Sequence, residues 1–124
     1  MITIKKVLMD AGKRVCVAHL VGMVTGMQST SIFDFDRSIL VAFLNQKSGH
    51  IYQFFDISRR SLVYGSLSAM YDSQTGSFFN IVINGNSFSG LDMATSMMFS
   101  GTISGALVSI YDTNESRFFL YGLR

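Results

Sequence analysis

The chain has 124 residues, 48% of them apolar, and ten Lys and Arg against eight Asp and Glu leave a formal net charge of +2. This length suits one domain with its own core. A charge so small and scattered is not the basic footprint of a nucleic-acid binder, and one cysteine excludes an internal disulfide.

Residues 1–12 read as a short N-terminal helix. Ile4, Val7, Leu8 and Ala11 fall on one helical face. Thr3 is placed as the N-cap and Gly12 as the helix-ending glycine. The competing pattern is an edge strand with Ile2, Ile4 and Lys6 on one face. Either way the segment is too short to be stable alone and must pack on a sheet.

Residues 13–124 read as hairpins in series. Val15 and Val17 open the first as a strand, which puts Cys16 and His19 on opposite faces. Gly26 to Asp34 and Gly49 to Asp56 are degraded forms of a unit that is clearest later. That unit is GSLSAMYD at 65–72, GNSFSGLD at 85–92 and GALVSIYD at 105–112, a repeat of twenty residues. Each copy opens with Gly, closes with Asp and runs through turn residues to an aromatic-containing pair: Phe78-Phe79, Met98-Phe99, Phe118-Phe119. Asn84-Gly85 is the strongest hairpin signal. The pattern predicts one all-β domain, an antiparallel meander of about five hairpins and about eleven short strands, barrel-like or strongly twisted. The absence of Pro suits a continuous ladder.

Both strand faces carry apolar residues. Phe79, Ile81 and Ile83 fall on one face of a strand and Phe78 and Val82 on the other. In the next register Ser68, Phe88 and Val108 share a face with Met70, Gly90 and Ile110, and Leu67, Ser87 and Leu107 share the opposite one with Tyr71, Leu91 and Tyr111. Between Ser61 and Ser116 there is no Lys or Arg. So charge-poor a surface needs cover, by closure of the fold, by the helix or by another subunit.

The meander brings Asp34, Asp56, Asp72, Asp92 and Asp112, with Asp36, to one rim. Several carboxylates suit a hard cation, but an Asp at each turn is first a turn cap. Arg37, Arg59, Arg60 and Arg117 flank these turns and are expected as exposed ion-pair partners worth about 0–1 kcal/mol each. Asp34-Phe35-Asp36-Arg37 reads as a charged hairpin tip rather than an acid–base pair. Cys16 reads as a small apolar residue, and His19 and His50 have no legible catalytic partner. The eight Met read as core or interface packing. Tyr52, Phe54, Phe55, Tyr64, Tyr71, Tyr111 and Tyr121 include candidates for a stacking platform.

The expected function is a non-catalytic protein-interaction or assembly module, self-associating through an apolar face carried by Tyr71, Phe78, Met98, Tyr111 and Phe118. The alternative is a β-barrel that binds a small molecule or glycan at an aromatic-lined site. No enzyme activity, cofactor or bound metal is expected, since no catalytic or ligand spacing is legible. A homo-oligomeric or protein partner is expected; nucleic acid and membrane are not. The apolar run from Val15 to Val24 is too short to span a bilayer as a helix, and most of the strands are shorter than the ~9–11 residues of membrane barrels. The polar opening is unlike a secretory leader, which points to the cytoplasm.

Overall fold

A computed structural model describes residues 8–124. They form one helix, α1 (Ala11–Val24), and ten strands: β1 (Ser31–Asp34), β2 (Ile39–Ser48), β3 (Ile51–Asp56), β4 (Ser61–Ser66), β5 (Ala69–Asp72), β6 (Ser77–Asn84), β7 (Ser87–Asp92), β8 (Met97–Ser104), β9 (Leu107–Asp112) and β10 (Arg117–Leu123). Each strand pairs antiparallel with its sequence neighbours, and β1 closes the barrel against β10 through Ile32↔Leu123, Phe33↔Gly122 and Asp34↔Tyr121. The all-β meander with one helix is therefore observed, as a closed barrel.

Two kinds of turn alternate around it. At one rim each strand ends in Asp, and the residue four positions on has positive φ: Ser38, Arg60, Gly76, Ser96 and Ser116. At the other rim Gly49, Gly85 and Gly105 take positive φ in tight hairpin loops. The twenty-residue repeat is thus one full zigzag between an aspartate rim and a glycine rim.

The helix differs from the sequence expectation. Of the helix predicted over 1–12, residues 1–7, with the proposed Thr3 cap and the alternative edge strand, lie outside the described residues. The helix that is observed starts ten residues into the chain, with Asp10 as N-cap: its Oδ1 accepts from Lys13 N at 2.9 Å. Gly12 lies inside it, not at its end, and Gly26 (φ 88°) follows its C-cap. Residues 13–24, expected as a strand of the first hairpin, are helical, and ten strands stand where about eleven were predicted.

The cause is burial on every side. Eleven consecutive residues, Gly12–Gly22, are buried. Their partners lie all round the barrel: Lys13 reaches β6 and β7, Arg14 β9 and β10, Cys16 β3, and His19 β2 and β3. Helix α1 therefore occupies the lumen. A helix apolar all round has no polar stripe to mark its period, so Val15 and Val17 read as strand alternation.

The core is the contact between this helix and the inward residues of the strands. Phe54, Val63, Met70, Phe79, Phe99, Val108, Ile110, Phe119 and Tyr121 are buried, alternating with outward neighbours. Eight strands enclose little more than their own side chains; ten, with small residues inside, admit a helix. Ala18 and Gly22 are small on the helix side, and Gly22 lies against Leu123. On the wall, a Cβ at Gly90 would collide with the Asn80 carbonyl and the Phe99 ring. The faces fell as read, except in the hairpin loop at 67–68, where Ser68 sits exposed and Leu67 packs against the core.

Candidate functional site

The aspartate rim is an ionic plug facing inward. Asp34, Asp56, Asp72, Asp92 and Asp112 are all buried, and each first caps its own turn. Asp34 Oδ1 accepts from the amides of Asp36 and Arg37, and Asp112 Oδ1 from those of Asn114 and Glu115. Thr75 Oγ1 donates to Asp72 and Thr95 Oγ1 to Asp92. Asp36 does not join them: it faces outward and pairs with Arg117 at 2.8 Å.

Four cations answer the five inward carboxylates. Lys13 Nζ lies 2.5 Å from Asp92 and donates to Ser77 Oγ at 2.7 Å. Arg14 Nη1 reaches Asp112 and Glu115, each at 3.0 Å, and its Nε donates to Tyr121 Oη at 2.9 Å. Arg59 bridges Asp56 (2.7 Å) and Asp72 (3.0 Å), and Arg37 pairs with Asp34 at 2.7 Å. Of these, Arg37 and Arg59 were expected as exposed rim partners. Arg37 is partly exposed, but Arg59 is largely buried against Gly12 and Cys16 of the helix, which also carries Lys13 and Arg14 into the barrel mouth. The helix N-terminus adds its partial positive charge there. Burial alone would raise the Asp72 carboxyl, yet the hydrogen bonds from Arg59 and Ser61, with the Arg59 charge, outweigh it and hold Asp72 low.

This explains why the rim presents no open carboxylate cage. Among the described residues, no three of His, Cys, Asp and Glu come together in a way suited to a metal ion. Lys13 and Arg14 were missed as members of the plug. Two adjacent cations followed by an apolar run with no polar face were the available signal.

Cys16 and His19 are helical neighbours after all but do not engage each other. Cys16 Sγ sits 3.0 Å from Arg59 Nη2 and 3.8 Å from Asp56, and burial pushes its thiol well above the ordinary range. His19 is stacked on Phe43 at 4.0 Å and edge-on to Phe54 at 4.9 Å. Its Nε2 lies 2.5 Å from Asn45 Oδ1, an oxygen that can only accept, so Nε2 carries the proton. Nδ1 has no hydrogen-bond partner among the described residues. Burial lowers the His19 pKa to about 4, against the opposing hydrogen bond to Asn45. His50 is exposed in the β2–β3 turn.

The outer wall carries the predicted apolar residues. Phe78, Met98 and Phe118 are 46%, 59% and 62% exposed, while Tyr71 and Tyr111 are half-buried. Cross-strand register groups them in rows: Tyr64–Tyr71–Phe78, Leu91–Met98 and Tyr111–Phe118. The rings touch, at 5.0 Å for Tyr71–Phe78 and 4.9 Å for Tyr111–Phe118. The aromatic platform candidates are split by the wall: Tyr52, Phe54 and Tyr121 face the lumen, whereas Tyr64, Tyr71 and Tyr111 face out. Met70 is in the core, while Met93, Met97 and Met98 are exposed. From β4 through β9 the only charged residues are Asp72, Asp92 and Asp112, all turned inward, so the outside of six consecutive strands bears no charge.

No protein-family model, curated protein or solved structure matches this chain. No helix among the described residues is long and apolar enough to cross a membrane.

Proposed function

We propose that the protein is a non-catalytic assembly module whose copies associate through the outer wall of the barrel. The observation that carries this reading is the uncharged exterior of β4–β9, with Phe78 and Met98 standing out from it and Phe118 of β10 beside it. Closure leaves few free edges, so a copy adds face to face rather than by extending the sheet. A second copy suits the wall because an uncharged apolar surface meets its own image without repulsion, as a two-fold interface requires. The buried plug supports a structural use of the titratable residues, since each of its inward carboxylates is paired with a cation. The lumen, where a barrel-mouth ligand would sit, is filled by α1.

Sedimentation velocity over a concentration series tests this. Wild type is expected to dimerise in the micromolar range through a patch of about 800 Å² per copy. Phe118→Glu is expected to raise the dissociation constant at least about tenfold while leaving the fold intact, because that side chain is outside the core. A wild type that stays monomeric to millimolar concentration overturns the reading.

A further inference from the structure

The hairpins do not all reach the glycine rim at the same height. Asp92 and Asp112 lie opposite Phe79 and Phe99, thirteen positions back, but Asp72 lies opposite Val63, nine back. The β4–β5 hairpin is therefore two rungs shorter than those that follow it. Gly65 permits this: its φ of 140° belongs to glycine, and a Cβ there would fall on the Ala69 carbonyl.

The short hairpin exposes β6. On its β7 side, β6 is paired through Asn84. On its β5 side the ladder stops at Phe79, with one further bond from Ile81 N–H to Leu67 O at 2.8 Å. In the next repeats the corresponding bond comes higher, from Ile103 to Asn86 O and from Leu123 to Ala106 O. Ile83, the counterpart of Ile103, has no strand beside it on that side among the described residues. Main-chain groups two residues apart on a strand point the same way, so those of Ile83 follow those of Ile81 into the gap. The gap is a groove of about 550 Å³ lined by Leu67, Ser68, Asn80, Ile81, Val82 and Ile83. A second depression of about 340 Å³ continues from Val82 and Asn84 onto β7.

We propose that this notch docks an extended, uncharged peptide as an added strand beside β6. The free main chain of Ile83 selects a backbone in strand conformation, because only that repeats donors and acceptors at the matching interval. Leu67, Val82 and Ile83 select an apolar side chain next to it. The lining has no charged residue, so a charged peptide residue would lose water and gain no partner. The notch is separate from the aromatic rows of the assembly reading, which lie nearer the aspartate rim.

The test is a titration of ¹⁵N-labelled protein with the capped peptide acetyl-Thr-Val-Thr-Val-Thr-amide, followed by amide shifts and hydrogen exchange. Saturable shifts confined to residues 66–69 and 80–84 are expected, with the Ile83 amide fast-exchanging when free and protected when bound. Ser68→Arg, an exposed loop change that fills the groove with a charged side chain, is expected to weaken binding at least about tenfold without altering the remaining spectrum. Phe118→Glu is expected to leave the titration unchanged, which separates this outcome from that of self-association. Absent or scattered shifts, or equal affinity for Ser68→Arg, overturn the proposal. So does an Ile83 amide protected without peptide; protection that appears only at high protein concentration would assign the edge to a second copy instead.

Discussion

Replacing Arg59 with Met is expected to lower folding stability by about 3–5 kcal/mol at pH 7, the usual cost of stripping a partner from a buried ion pair. Arg59 holds two fully buried carboxylates, Asp56 at 2.7 Å and Asp72 at 3.0 Å, and packs against Cys16 Sγ. Met fills much of the same space, so the loss is one of charge rather than volume. The sign of its pH dependence follows. In wild type Asp72 is held low, so its share of the stability is present above the ordinary carboxylate pKa and is lost as pH falls below it. In the variant only the hydrogen bonds from Ser61 and Thr75 are left to oppose the burial, so Asp72 is expected to rise and its protonation to relieve part of the strain. Urea unfolding at pH 7 and at pH 4.5 should therefore show a deficit that narrows at the lower pH. Adding Asp72→Asn to Arg59→Met is expected to recover part of it at pH 7. A deficit below about 1 kcal/mol would mean that the plug is solvated like an ordinary surface pair.

The second large effect is acid destabilisation through His19. Its folded pKa of about 4 lies below the unfolded value of 6.5, so the unfolded chain binds the proton first. Stability is complete above about pH 6.5, falls as pH drops toward 4, and has no further contribution from this group below that. The gap is worth about 3 kcal/mol. Phe43 and Phe54 crowd the ring, Asn45 Oδ1 already takes its one N–H, and the nearby Asp56 carboxylate only partly offsets the burial. His19→Gln keeps an N–H for Asn45 but cannot titrate. Thermal melts of both proteins between pH 7 and 4 should show a decline in wild type that the variant lacks. Parallel declines would place the titrating group elsewhere.

The parts of this architecture that were readable share one property: they repeat. Asp at positions 72, 92 and 112, and Gly at 85 and 105, mark the two rims because each local turn imposes its own residue chemistry. Alternation then sorted Met70, Gly90 and Ile110 inward and Tyr71, Leu91 and Tyr111 outward. What was not readable depends on contacts distant in sequence. Val15 and Val17 imitate a strand because the helix is enclosed on every side. Lys13 and Arg14 look solvent-bound until the lumen brings them to Asp92 and Asp112, 79 and 98 residues away. Gly65 occupies the repeat's turn position, yet the chain turns two residues later, at Leu67-Ser68. Only the strand register discloses the slip.

The central claim is that α1 fills the barrel and touches opposite walls at once. Nuclear Overhauser contacts in ¹³C,¹⁵N-labelled protein test it most directly. The His19 ring is predicted to contact Phe43 and Phe54 of β2 and β3, while the Lys13 side chain, on the same helix, contacts Ser77 and Phe78 of β6 and Asp92 of β7, across the barrel. Contacts from both residues to a single wall, or water exchange at the backbone amides of residues 15–21 as fast as in an isolated helix, would contradict it.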